Sequence, residues 1–260
     1  MFSKICDAHF HLIPLLEKSK EEMNFLKSGK IRLCSCAHSV SEFLMQEKLS
    51  LEINEAEKNP EGKKIIVQGF GLHPQMPVLE NAVFLEKLLA EKRVSCIGET
   101  GFDFFTPEFK ADEKRQTEAF EICLELGRKF NVPLIIHNRK ALDKIFYFSS
   151  ELKKLKALLF HGFPFSYEEA SAVLKKGMNA YFSFGKSILR GNKKSISCVK
   201  NLPLENLLLE TDSPFMTLKN QEYTVPLEVE NVYSEALKRR NENSVMFEKA
   251  MENNFSNLYD

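Results

Sequence analysis

The chain has 260 residues, 43% of them hydrophobic and 11% aromatic, and its 36 Lys and Arg balance 36 Asp and Glu for a formal net charge of zero. The apolar and aromatic shares exclude a disordered tail protein and provide for a large core. Zero net charge excludes global electrostatic attraction to nucleic acid or membranes, so such binding would have to rest on a local patch or a metal.

Short runs rich in β-branched and aromatic residues alternate with longer amphipathic stretches along the whole sequence. In chain order the spacing predicts a strand at 3–11, a helix at 15–28, a strand at 30–39, a helix at 41–59, a strand at 63–73 and a helix at 79–92. A strand at 93–103, a helix at 112–130, a strand at 132–139, a helix at 141–153, a strand at 156–163 and a helix at 167–177 follow. The last predicted unit pairs are a strand at 179–185 with a helix at 192–201, then a strand at 206–215 with helices at 225–241 and 244–254.

Leu134-Ile135-Ile136 and Leu207-Leu208-Leu209 are apolar on both sides of the pleat, as expected for parallel strands covered on both faces. Ala119, Phe120, Cys123, Leu126 and Gly127 recur at helical spacing, and Ser166 with Glu169 three residues on reads as a helix start that Gly177 later stops. Eight strand-loop-helix units in 260 residues predict a single-domain (β/α)8 TIM barrel of the metallo-dependent hydrolase type over residues 1–260. A doubly wound open sheet is the rival, but no Gly-x-Gly-x-x-Gly follows the first strand.

The six cysteines, Cys6, Cys34, Cys36, Cys96, Cys123 and Cys198, have neither zinc-ribbon nor disulfide-scaffold spacing and read as small buried hydrophobes in a reducing compartment. Met1-Phe2-Ser3-Lys4 carries no basic-then-apolar signal, and no apolar run approaches the ~18 residues of a membrane span. A cytoplasmic protein without membrane contact is expected.

All six histidines, His9, His11, His38, His73, His137 and His161, fall at or beside the C-terminal end of a predicted strand. In a barrel those ends converge on one mouth, where active sites are built. Glu99 and Asp212 share that position. His9 and His11 stand at i and i+2 of a strand and face one way, with Phe10 between them facing the other. Asp7 is placed to accept from a ligand's second ring nitrogen. With His137, His161, Glu99 and Asp212, the mouth would hold four imidazoles and two carboxylates, a set suited to one or two divalent ions, Zn, Mn or Mg. His38 lies among loop-like serines with no second ligand near it in sequence, and it is read as a hydrogen-bonded structural residue.

Six blocks carry a family resemblance: Asp7-Ala-His9-Phe-His11, Gly71-Leu-His73-Pro74, Ile97-Gly-Glu99-Thr-Gly101-Phe-Asp103, Pro133-Leu-Ile-Ile-His137-Asn-Arg139, Phe160-His161-Gly-Phe163 and Leu209-Glu-Thr-Asp212-Ser-Pro214. In order and spacing, from residue 7 to about 216, they resemble the TatD-type metal-dependent hydrolases, the TatD DNases. The resemblance implies a TIM barrel that hydrolyses phosphodiester bonds with one or two divalent ions. It implies His9, His11 and Asp212 as ligands of a first ion, Glu99 as a bridging carboxylate, and His137 and His161 as ligands of a second. It also implies that His73 and Arg139 contact substrate. Two blocks depart from the pattern. The loop at 215–226 is short and lacks the basic cluster of many members, and the His161 block reads His-Gly-Phe-Pro-Phe-Ser166 where His-Cys-Phe-Ser-Gly is more usual.

The expected chemistry is attack of activated water on a phosphodiester of DNA, an oligonucleotide or a small substrate, with Asp212 and Glu99 as the catalytic carboxylates. Arg139, Lys140, Lys186, Arg190, Lys193 and Lys194 on the loops are candidates to hold a phosphate backbone, and Phe163 and Phe165 to stack on bases. The alternative reading on the same metal centre is an amidohydrolase-like carboxylic ester, lactone or amide hydrolase. A monomer is expected.

Overall fold

Every predicted apolar run forms a strand in the computed structural model, which describes residues 2, 5–56 and 62–260. The strands are β1 (Ile5–Phe10), β2 (Ile31–Ala37), β3 (Ile66–Phe70), β4 (Cys96–Asp103), β5 (Leu134–Arg139), β6 (Leu158–Phe160), β7 (Ala180–Phe184) and β8 (Leu207–Leu209). They pair in sequence order, all parallel, in one eight-stranded sheet. Two backbone bonds join its edges: His11 N–H donates to Ser213 O (2.7 Å) and Asp212 N–H to His9 O (3.0 Å). The result is the (β/α)8 barrel. Predicted residues 3–4 of the first strand and 57–59 of the second helix lie outside the described residues, as do Met1 and Ser3 of the N-terminal reading. Among the described residues no helix is long and apolar enough to cross a membrane.

The two-faced burial expected of parallel strands is present. One face of each strand packs inward: Cys6, Ala8, Cys34, Cys36, Val67, Cys96, Ile135, Leu159, Tyr181 and Leu208 share an interior cluster. The other face meets the helices in a second, larger cluster that includes Phe10, Ile66, Ile97, Ile136, Phe160, Phe182 and Leu209. The helix Glu113–Phe130 buries the five periodic residues named from sequence, and Ser166 makes the anticipated capping box with Glu169.

Departures from the expected elements have local causes. The last helix runs Ser244–Tyr259, five residues beyond expectation, because Phe255, Leu258 and Tyr259 join the interior cluster and close the barrel floor. Tyr259 donates its hydroxyl to Ala8 O (2.7 Å), and Asp260 meets Arg32 at the start of β2 (2.8 Å). β8 is only three residues long, since the chain turns at Asp212, which holds a left-handed φ of 54°. The helix expected at 15–28 is two, Leu12–Lys18 and Glu22–Lys27, and that at 141–153 is Leu142–Tyr147 and Ser149–Leu152. A five-residue helix, Pro107–Ala111, was too short for periodicity to reveal; Thr106 caps it by accepting from Phe109 N–H.

Two register irregularities aim the site. Pairing of β1 with β2 shifts between Asp7 and Phe10, and pairing of β4 with β5 shifts between Ile97 and Thr100. Strict alternation from Cys6 and Ala8, or from Cys96, would send His9 and Glu99 to the helix side. The bulges turn them toward the axis instead. Past Glu99, β4 keeps its pairing through Gly101, whose φ is 134° and where a Cβ would stand 2.2 Å from His137 O.

Candidate metal centre

Strand ends of the barrel deliver the six polar groups to a mouth that opens on a cavity of about 760 Å³. Glu99 is its centre and is almost fully buried. Its Oε1 lies 3.2 Å from His9 Nε2 and 3.3 Å from His11 Nε2, and Asp212 Oδ1 completes that side at 3.7 and 3.4 Å from the same nitrogens. Its Oε2 faces His161 Nε2 at 2.6 Å and His137 Nδ1 at 3.2 Å. The structure therefore brings together all six groups singled out from sequence, and one carboxylate divides them into two sets.

These donors fit a divalent cation better than they fit one another. Both ring nitrogens of His9 and Nδ1 of His161 are buried and lack a hydrogen-bond partner among the described residues, an arrangement that costs energy in an apolar interior. Burial opposes charge on His11, yet its contacts to Asp212 and Glu99 prevail and push its imidazolium up to about 10. Burial would raise Glu99, but His161, His9 and a hydrogen bond from His11 hold it well below the usual carboxylate range. Burial likewise opposes a charged His161, and Glu99 and Glu210 nevertheless raise it. A metal must displace these protons, so affinity falls as pH falls: between pH 9 and pH 6 Mn or Zn binding should weaken about tenfold per pH unit for each proton displaced. Calorimetric titration at three pH values checks this; a flat profile would contradict it.

Partners behind the ligands differ from expectation at one point and add two residues. Asp7 does not receive a ring nitrogen. Its carboxylate accepts from Thr211 N–H (2.9 Å), the Thr211 hydroxyl (2.5 Å) and the His9 backbone N–H (3.3 Å), tying β1 to the segment that carries Asp212. The reason is the bulge, which turns the His9 ring from Asp7 and leaves only its amide in reach. Asp7→Asn replaces an accepting oxygen by a donor against Thr211 and should weaken metal binding about tenfold, measurable by equilibrium dialysis.

Asp103 takes the position expected of Asp7, at another candidate ligand, His137. Its Oδ2 lies 3.0 Å from His137 Nε2, leaving Nδ1 free toward Glu99. Burial would raise Asp103, but His137 and Gln75 hold it down to about 2. Glu210, fully buried, accepts from the Ser183 hydroxyl and stands 3.9 Å from His161 Nδ1. Both carry a sequence signal: Asp103 shares a strand-end block with Glu99, and Glu210 shares one with Asp212.

His38 is hydrogen-bonded, as the sequence suggests: its Nε2 accepts from Glu99 N–H (3.5 Å). Its Nε2 is 3.4 Å from Glu99 Oε1, its ring is 4.7 Å from that of His73, and both line the cavity. His73 Nε2 lies 3.6 Å from Glu99 Oε2, and Nδ1 accepts from Gln75 N–H. Burial pushes His73 down to about 3, so the ring is neutral with its proton on Nε2.

Arg139 is exposed on the rim, with its guanidinium 5.7 Å from the centroid of Phe105; Lys140 Nζ lies 4.4 Å from the same ring. The other proposed backbone contacts are partly overturned. Lys186 is fully buried and binds Gln221, Thr224 and Glu228, while Phe163 is buried in the core and Phe165 packs against it. Arg190 remains exposed and donates to Thr217 O, and Lys193 and Lys194 are exposed at a helix start. The loop apolarity that suggested stacking instead serves packing.

Comparison with known proteins finds metal-dependent hydrolases and TatD-type folds. A protein from Mycoplasma pneumoniae named as an uncharacterized metal-dependent hydrolase is 30% identical over 227 residues, 81% of each chain. One of the same description from Haemophilus influenzae is 35% identical over 155 residues, 57% of this chain, and the match spans about three-fifths (59%) of that relative's length. Among solved structures, the Escherichia coli K12 TatD homologue YjjV superposes with a TM-score of 0.83 at 23% identity, over 100% of this chain and 99% of that one. A TatD family hydrolase from Entamoeba histolytica gives 0.77 at 17%, again over 100% and 99%. The family model for TatD related DNase matches residues 6–260, and the chain belongs to that family.

Proposed function

We propose that this protein hydrolyses phosphodiester bonds in DNA or short oligonucleotides, using one or two divalent ions, Zn, Mn or Mg. The observation that carries the reading is Glu99, a single buried carboxylate whose two oxygens face two separate imidazole sets. In this reading His9, His11 and Asp212 would hold one ion and His137 and His161 the other, with Glu99 facing both sets. When bound, such ions supply Lewis acidity: they make water acidic near neutral pH and offset charge on phosphoryl oxygens.

The chain's own groups do the rest. Asp212 is the ligand most open to the cavity, with 14% of its side chain exposed. His11, His9 and His161 hold it ionised against the effect of burial. Its oxygen away from the histidines takes the proton of the attacking water. His73 presents its Nε2–H as a neutral donor to a phosphoryl oxygen, and Arg139 at the rim holds the next phosphate. Phe105 and Phe215, both more than half exposed at the mouth, offer ring faces to an unpaired base. All donors come from one chain, so the reaction needs no second copy, and residues 1–260 act as one catalytic unit.

The test is a substrate screen after chelation and add-back of Mg, Mn or Zn. Single-stranded DNA and a bis-aryl phosphate should be cleaved only with metal restored. Turnover of simple esters or lactones, with phosphodiesters untouched under every metal, would overturn the reading in favour of carbonyl hydrolysis.

A further inference from the structure

Below the mouth, three of the six cysteines converge inside the barrel. Cys34 and Cys36 stand on β2 and Cys96 on β4, and all three are fully buried. One sulfur from each lies within 4.8 Å of the others, and Cys34 Sγ is 3.8 Å from Cys96 Sγ. β2 and β4 are not neighbours, because β3 runs between them. Register explains how the sulfurs meet: Cys36 pairs with Gly69 and Gly69 with Cys96, so one row across three strands reads Cys-Gly-Cys. A Cβ at Gly69 would stand 2.8 Å from Cys96 Sγ and 2.9 Å from Cys36 Sγ. Glycine weakens a strand interior; here it leaves the space into which the thiols reach.

We propose that Cys34, Cys36 and Cys96 form a second metal site, a three-sulfur socket for a soft monovalent cation, Cu(I) being the physiological example. Thiolates select soft ions, whereas the imidazole and carboxylate set above them suits harder ones. Three sulfurs placed in a plane at about 2.3 Å from a common centre lie about 4 Å apart, close to the spacing found. Zinc in a closed site takes a fourth ligand of the His, Cys, Asp or Glu type, and among the described residues this group has three such donors. The monovalent cation offsets one of the three thiolate charges in an interior that resists charge. Each bound sulfur releases its proton to solvent, so loading tightens as pH rises. Filling the socket would link β2 directly to β4 beneath the mouth, where Cys36 O contacts His11 Nδ1 (3.3 Å) and Cys96 precedes Glu99 by three residues.

The full chain, titrated with Cu(I) in the absence of oxygen against a chromophoric Cu(I) chelator, should retain one equivalent. Its copper K-edge spectrum should fit sulfur neighbours alone, at about 2.3 Å. Cys34→Ser, Cys36→Ser and Cys96→Ser should each weaken retention by about 100-fold or more, and Cys123→Ser, at a buried thiol outside the group, should leave it unchanged. Failure to retain copper, nitrogen or oxygen neighbours in the spectrum, or equal loss in Cys123→Ser would each overturn the proposal. The wild-type spectrum decides the matter should a serine variant fail to fold, and none of these readouts depends on which ester the mouth hydrolyses.

Discussion

Glu99→Gln should lower metal-dependent hydrolysis by about 10³-fold or more, the scale on which removal of one preorganised charge-stabilising group is felt, while leaving the barrel folded. The substitution keeps size and shape but removes the one negative charge that six imidazoles face: His9, His11 and His38 at 3.2 to 3.4 Å from Oε1, and His161, His137 and His73 at 2.6 to 3.6 Å from Oε2. An amide places a donor toward one of the two sets, so no single carboxylate can then serve both. Divalent ion content should fall below that of the wild-type chain. Without the anion, His11 and His161 lose the contact that favours their charged forms, and their titrations should move down in proton NMR of the metal-free protein. Rate, metal content and histidine titration are three independent readings. Activity within tenfold of wild type at saturating metal would remove Glu99 from the centre of the mechanism.

The strands were legible because apolar runs such as Leu134-Ile135-Ile136 need no partner to be recognised, and histidines at their ends followed from the barrel rule. What stayed hidden depends on register and on contacts far apart in sequence. His9 and Glu99 reach the axis only through bulges, which alternation does not announce. Asp7 was assigned to a ring nitrogen, but its true partner is Thr211, 204 positions away. The hydrogen-bond partner of His38 is Glu99 N–H, 61 positions away, because β2, β3 and β4 bring them together. The Cys-Gly-Cys row was equally invisible, since its three members come from three strands.

Lys186 illustrates the same limit and yields the largest expected effect on stability. A lysine in a loop after a strand reads as a solvated cation, yet this side chain is 0% exposed and donates to Gln221 Oε1 (2.7 Å), the Thr224 hydroxyl (2.8 Å) and Glu228 Oε2 (2.9 Å). Glu228 in turn accepts from Val225 N–H and Gln221. Through Thr224, whose N–H donates to Pro214 O and whose carbonyl accepts from Ser213, this cluster fixes the loop that carries Asp212 and Phe215. Glu228→Ala leaves an ammonium buried without its counter-ion and should cost about 3 kcal/mol or more, read as a lower denaturation midpoint at unchanged slope. Removing the charge at both ends, Lys186→Met with Glu228→Leu, should recover much of that loss, because a buried pair exchanged for apolar side chains is often near neutral. If Asp212 takes the proton of the attacking water as proposed, the single variant should also lower kcat more than it raises KM, since the displaced group is Asp212 and not the rim. If the double variant were as unstable as the single, the cluster would be stabilising the loop through its hydrogen bonds to Gln221 and Thr224 and not through charge.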